Sequence, residues 1–135
     1  MPHLRVYEEA EQAIQEYKWI QSERAGRDLG ADAELDWVQR NWTTFCRARL
    51  VRHLRGEVHF EEFGADCFGV LSGRFGELKG LLDLVLERLQ QGAENLDLIR
   101  WGNQQQLPIN QLVEVLVAAD INRHRLHPPT RRGTQ

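Results

Sequence analysis

The sequence predicts an all-α fold: a single-domain bundle of four to five helices with a short irregular segment near residues 57–68. The main observation is a run of apolar residues between positions 68 and 91, spaced alternately by four and three residues. On a helix this spacing places every apolar side chain on one side. Other periodic stretches are separated by glycine or proline, which is typical of short connections between helices.

The overall composition is that of an ordinary globular chain. Of its 135 residues, 41% are apolar and 27% are charged, and the net charge is −3. This balance argues against a disordered or fibrous protein and against a general attraction to nucleic acid. Two cysteines and no recognisable secretory signal favour the cytoplasm as the compartment. The absence of a long apolar run predicts no membrane association.

The first predicted helix covers residues 6–29 and has one apolar stripe. Trp19 projects into the middle of its polar face. A tryptophan in that position either docks under a second element or meets a binding partner, because indole rings dominate interface energetics. Glu23 and Arg27 are four residues apart, in the order that favours an ion pair on a helix surface.

The second predicted helix covers residues 33–55, between Gly30 and Gly56. It has two apolar faces, one containing Trp42 and the other containing Trp37. A helix that is apolar on both sides belongs in the middle of a bundle, with neighbours on each side.

The last turns of this helix carry Arg47, Arg49, Arg52 and Arg55. Such a cluster raises the hypothesis of nucleic-acid binding. However, Arg47, Arg49 and Arg52 point in three different directions on a helix, and positive charge near a helix C-terminus is favoured by the macrodipole alone. Acidic residues follow at 57–66, so the sequence favours internal ion pairs and keeps an anionic partner as the second interpretation.

The middle of the chain allows two interpretations. Residues 57–64 form either a short extended segment or a loop held by Phe60 and Phe63. In the helix that follows, a row of glycines lies opposite the leucine side: Gly69, Gly73, Gly76 and Gly80. This row either lets a neighbouring element come close or marks an irregular stretch, with regular helix starting only near residue 77.

The C-terminal part predicts two more helices and a tail. Residues 93–101 form a short helix with Leu96, Ile99 and Trp101 facing inward, and Pro108 opens a strongly apolar helix that we expect to be buried. The sequence therefore divides into a bundle at 1–122 and a basic, proline-containing, flexible tail at 123–135.

No catalytic constellation is visible in the sequence. Cys46 and His53 share a helical face, but seven residues separate them by roughly 10 Å, which is too far for a direct hydrogen bond or for one zinc ion. The glycine spacing fits no nucleotide-binding motif, and no cofactor is predicted. A metal-dependent enzyme built on bundle carboxylates is the third interpretation, behind the two binding functions.

The sequence thus predicts a small, non-enzymatic interaction or regulatory protein. Its partner is either another protein or a second copy of the chain, giving a homodimer. The predicted partner-binding residues are Trp19, Glu23, Arg27, Arg47, Arg52 and Arg55. The alternative function is binding of nucleic acid or another anionic partner through Arg47, Arg52, Arg55 and the tail residues Arg123–Arg132.

Overall fold

The structure is a computed structural model that describes residues 3–129. Within this range the chain forms six α-helices, which are α1 (Val6–Ala25), α2 (Gly30–Leu54), α3 (Val70–Phe75), α4 (Lys79–Gln90), α5 (Asn95–Gln104) and α6 (Ile109–Ala119). The all-α prediction is confirmed. The predicted count of four to five helices is corrected to six, because the predicted helix at 68–91 is divided by a 3-10 turn at Gly76–Leu78 into α3 and α4.

The first two helices form an antiparallel hairpin. α1 ends at Ala25, four residues earlier than predicted, because Gly26 takes the left-handed conformation with φ of 71°. α2 begins at Gly30, so the glycine that was expected to end one helix opens the next.

The second helix is the central element, as its two apolar faces predict. α2 packs against α1, α3 and α4. Trp37, Val38, Trp42 and Val51 are all buried along it, whereas Leu35 near its start is half exposed. Burial from several directions explains why this helix shows no single apolar stripe.

α2 is followed by a tight reversal in which two glycines meet. Gly56 and Gly69 have φ of 78° and 73°, and a β-carbon on Gly56 would lie 3.1 Å from the α-carbon of Gly69. In contrast, Gly73, Gly76 and Gly80 face open space. The close-approach interpretation of the glycine row therefore holds at Gly69 and is wrong for the other three.

Residues 57–68 combine the two interpretations that the sequence allowed. Phe60 pairs with Leu4 in an isolated parallel β-bridge, and a 3-10 turn follows at Glu61–Phe63. Phe60 and Phe63 are both buried in the core. The N-terminal residues are thus attached to the segment that follows α2.

α5 begins with a capping box in which the Glu94 side chain accepts a backbone hydrogen bond from the first turn and Asp97 accepts the Glu94 N–H. Leu98 and Gly102 form its buried face. Leu96 lies about 200° from Leu98 around the helix and is 56% exposed, so its predicted inward position is wrong.

α6 packs closely on α5. A β-carbon on Gly102 would lie 2.5 Å from a methyl carbon of Leu112, so the absence of a side chain lets the two helices approach. Leu112 and Leu116 are buried, whereas Val113 and Val117 are exposed. The helix is therefore buried on one side, and the prediction that all of it is buried is wrong.

The chain after α6 folds back onto the bundle. His124 is buried, the Trp42 indole N–H donates to the carbonyl oxygen of Leu126 at 2.9 Å, and the Tyr7 hydroxyl donates to the carbonyl oxygen of His127 at 2.7 Å. Residues 123–127 of the predicted tail are thus in contact with the helices. Residues 130–135 lie outside the described part of the chain.

Candidate functional site

Trp19 is the most unusual surface residue of the first helix. It lies in the second half of α1, and 65% of its surface is exposed. Of the two interpretations offered by the sequence, docking under a second element is therefore wrong. An exposed indole offers a large, rigid apolar area to a partner, which is why tryptophan is enriched at the energetic centres of interfaces.

Trp19 lines a surface depression of about 690 Å³ at the end of the α1–α2 hairpin. We call this region the hairpin-end surface. It is formed by Gln15, Lys18, Trp19, Ser22, Glu23, Gly26, Arg27 and Asp28. Three of the predicted partner-binding residues, Trp19, Glu23 and Arg27, therefore come together at one place.

A Schellman turn shapes this surface. The Gly26 N–H donates to the carbonyl oxygen of Glu23 at 3.3 Å, and the Arg27 N–H donates to that of Ser22 at 3.2 Å. The Ser22 hydroxyl also accepts the Leu29 N–H at 3.0 Å. These bonds turn the chain back so that Arg27 lies beside the last turn of α1. A surface fixed in this way loses less conformational entropy on binding.

The hairpin-end surface carries both signs of charge. Lys18 pairs with Glu34 of α2 at 3.3 Å. Glu23 and Arg27 make no ion pair within the described structure, either with each other or elsewhere. The ion pair expected between them is absent because α1 ends before residue 27, which removes the helical spacing on which that expectation depended.

Arg47 occupies a different environment from the other predicted site residues. It is 4% exposed, and its guanidinium donates to the carbonyl oxygens of Leu89 at 3.0 Å and Ala93 at 2.6 Å and to the Glu94 carboxylate at 2.8 Å. It therefore binds the C-terminal end of α4 and the start of α5, and it is not accessible to an external partner.

Arg52 and Arg55 lie together on a second depression, apart from Trp19. Three acidic residues line the same depression, namely Glu57, Asp83 and Glu87. Arg55 contacts Asp83 at 2.7 Å and Glu57 at 3.9 Å. With more acids than arginines, this surface does not form a positive patch for phosphates.

The arginines of the C-terminal segment are also paired. Arg123 contacts Asp66 at 2.8 Å, and Arg125 contacts Glu94. Arg131 and Arg132, which belonged to the predicted anionic-partner site, lie outside the described residues. Of the four α2 arginines for which the sequence favoured internal ion pairs, Arg47, Arg49 and Arg55 form them, whereas Arg52 forms none within the described structure.

Cys46 and His53, the two side chains considered for catalysis, are both enclosed in the bundle. Burial raises the pKa of the Cys46 thiol to about 12, so it stays protonated at neutral pH. His53 is fully buried with both ring nitrogens in hydrogen bonds. Among residues 3–129, no three histidine, cysteine, aspartate or glutamate side chains are placed to share one metal ion.

Comparison with protein-family models, curated proteins and solved structures gives no significant match. In the described part of the chain, no helix has both the length and the apolar character needed to cross a bilayer.

Sequence reasoning missed Ser22 and Asp28 as members of the site. Their contribution is local, since the Ser22 hydroxyl and the Asp28 carboxylate accept backbone N–H groups of the turn, Asp28 from Gly30 at 2.9 Å. The available signal was Gly26 inside an otherwise helical stretch, because glycine is the usual residue at a left-handed helix end.

Proposed function

We propose that the protein is a non-enzymatic interaction module that self-associates through the hairpin-end surface. The observation that carries this proposal is the 65% exposed Trp19 in a depression fixed by the Schellman turn. Protein interfaces commonly have an apolar centre surrounded by polar and charged residues. Trp19 and the charged residues around it have this arrangement.

The charges of the surface favour a second copy of the chain as the partner. In a dimer with two-fold symmetry the same patch meets itself, so the patch must be complementary to its own copy. A patch of one sign would repel its copy, whereas Glu23 and Arg27 provide opposite charges that no other described residue neutralises. Glu23 of each chain then pairs with Arg27 of the other, and the two Trp19 rings are covered together.

Light scattering over a concentration series tests the proposal. We expect a concentration-dependent dimer for the native chain and a dissociation constant raised at least tenfold for Trp19→Ala, since a hot-spot tryptophan contributes about 2 kcal/mol or more. Leu96→Ala is the matched control. It removes another exposed apolar side chain, on α5, and should leave the dimer unchanged.

Charge reversal provides a more specific test. Glu23→Arg places two pairs of like positive charges across the two-fold axis, and Arg27→Glu places two pairs of negative charges there. Each variant alone should therefore be monomeric at concentrations where the native chain is dimeric. Mixing the two variants restores opposite pairs, so heterodimers should form.

Two results would overturn the proposal. One is a native chain that stays monomeric up to millimolar concentration, which would leave the surface without its proposed partner. The other is a dimer whose dissociation constant responds to neither Trp19→Ala nor the charge reversals, which would place the interface elsewhere on the molecule.

A further inference from the structure

Four of the five histidines form one connected group, although they are far apart in the sequence. The ring of His59 stacks on that of His3 at 4.1 Å between centroids and meets the edge of His53 at 4.9 Å. Phe63 lies 5.5 Å from His53 and 5.9 Å from His124, so it connects the last histidine to the others. We call His3, His53, His59 and His124 the histidine cluster.

The cluster attaches both ends of the described chain to α2. On the N-terminal side, the Leu4 N–H donates to the carbonyl oxygen of His59, and the Glu61 N–H donates to that of Leu4, both at 2.9 Å. On the C-terminal side, His124 packs against Phe63. His53, on the last turn of α2, contacts His59 directly and is connected to His124 through Phe63.

The hydrogen bonds of His53 require a neutral ring. Its Nδ1 accepts the Phe60 N–H at 3.0 Å, and its Nε2 lies 2.7 Å from the carbonyl oxygen of Gly64, to which it must donate. A proton on Nδ1 would face the Phe60 N–H and break that bond. Because His53 is 0% exposed, no water replaces the lost partner.

The two other buried histidines are enclosed beside His53. His59 is 9% exposed, and neither of its ring nitrogens has a hydrogen-bond partner within the described structure. His124 is 8% exposed. Burial is the main cause that lowers the pKa of both His53 and His124 below 6.5.

Nearby charges do not reverse this effect. Asp66, on the segment before α3, favours protonation of both His53 and His124, and Asp120 favours that of His124. Arg123 opposes protonation of His124 and also pairs with Asp66 at 2.8 Å, which weakens the influence of that carboxylate. His59 and His124 further oppose a charge on His53.

We propose that the histidine cluster is an acid-sensitive latch that holds both ends of the chain against α2 at neutral pH and releases them when His53 and His124 take up protons. Release of the C-terminal segment also removes one wall of a cavity of about 80 Å³ whose α2 side includes Trp42, Cys46 and Leu50. Acidification thereby exposes an apolar face of α2 without unfolding the helices.

The sign of the effect follows from proton linkage. The open form, with ordinary histidines, takes up protons as the pH falls below about 6.5, whereas the closed form takes them up only at lower pH. Between pH 7.5 and pH 5.0 the open fraction therefore rises by up to roughly 30-fold for each of the two histidines. The helical core contains no member of the cluster outside α2 and should not respond in this range.

Hydrogen exchange of the full chain at pH 7.5 and pH 5.0, corrected for intrinsic rates, tests the latch. We expect the amide protection of Leu4, Phe60 and residue 124 to fall at least tenfold at pH 5.0. The amides of Val85 in α4 and Leu116 in α6 should keep their protection within threefold. This comparison needs only the native protein, so it is decisive even if a variant fails to fold.

Two variants assign the effect to individual groups. His124→Phe preserves the ring packed on Phe63 but cannot be protonated, so residue 124 should stay protected at pH 5.0 while Leu4 is still released. His127→Gln changes an exposed histidine outside the cluster and should behave like the native chain. Terminal amides that stay protected at pH 5.0, or core amides that lose protection equally, would overturn the proposal.

Discussion

The guanidinium of Arg47, on the central helix, lies 2.8 Å from the carboxylate of Glu94, which caps the start of α5. The same guanidinium also donates hydrogen bonds to two carbonyl oxygens around the end of α4, those of Leu89 and Ala93. One buried side chain therefore joins three helices, and its loss should affect the stability of the whole bundle.

We expect Arg47→Met to lower the free energy of unfolding by about 3–5 kcal/mol. The variant removes the hydrogen bonds that a buried guanidinium donates to the carbonyl oxygens of Leu89 and Ala93 and to the Glu94 carboxylate, and no water reaches this site to replace the lost donor. Urea denaturation measures the change. Arg40→Met is the control, since Arg40 is a paired but exposed arginine on the same helix and should have little effect. Equal losses for both variants would contradict the role given to Arg47.

Alanine substitutions at Gly56, which contacts Gly69, and at Gly73, which faces open space, should have opposite effects on stability. Gly56→Ala should lower the free energy of unfolding by about 1–3 kcal/mol, because the new β-carbon lies 3.1 Å from a backbone atom at a φ of 78°. Gly73→Ala, inside α3 and facing open space, should raise it by about 0.5–1 kcal/mol. Thermal unfolding of both variants checks the signs: a gain for Gly56→Ala would contradict the packing described for Gly56, and a loss for Gly73→Ala would contradict the open space at Gly73.

The two central histidines of the latch should respond differently to the same substitution. His59→Phe removes two buried nitrogens that have no partner and should raise the free energy of unfolding by about 1 kcal/mol. His53→Phe leaves the Phe60 N–H and the Gly64 carbonyl unpaired and should lower it by about 2–4 kcal/mol. Both are measured at pH 7.5 by urea denaturation. A loss for His59→Phe as large as that for His53→Phe would show that the His59 nitrogens have partners.

The cysteines should resist alkylation in the folded protein. With its pKa raised to about 12, Cys46 has at least about 100-fold less thiolate at pH 8 than an ordinary thiol. Burial also raises the pKa of Cys67. Mass spectrometry after iodoacetamide treatment should show both residues labelled rapidly in urea and slowly in buffer. Labelling of Cys46 at the unfolded rate in buffer would contradict its buried state.

Local patterns predicted the helices well where a helix meets its neighbours on one side. The apolar spacing between 68 and 91 correctly marked Leu71, Phe75, Leu82, Val85 and Leu89 as buried. Outside that run, the expectation that apolar residues face inward failed at Leu96 in α5 and Val117 in α6, which are exposed. Hydrophobicity alone does not say whether a side chain points to a neighbour, since that depends on how the helix is rotated against the bundle.

The candidate surface was partly visible in the sequence. The projection of Trp19 onto a polar face correctly identified an unusual residue, and Glu23 and Arg27 were named beside it. The same reasoning grouped Arg47 with Arg52 and Arg55, although the first is buried and the others lie on an acidic depression. Which arginine is enclosed depends on the distant residues Leu89 and Glu94, and no local pattern encodes that contact.

The sequence by itself determined the all-α class and the central place of the second helix, because these follow from the spacing of apolar residues and from glycine and proline breaks within a few positions. It also determined that Trp19 stands among polar residues. Only the tertiary structure decided that Trp19 stays exposed, that Arg47 is enclosed, and that four histidines converge on the end of α2. These features depend on groups far apart in the chain, so they exist only once the helices have packed.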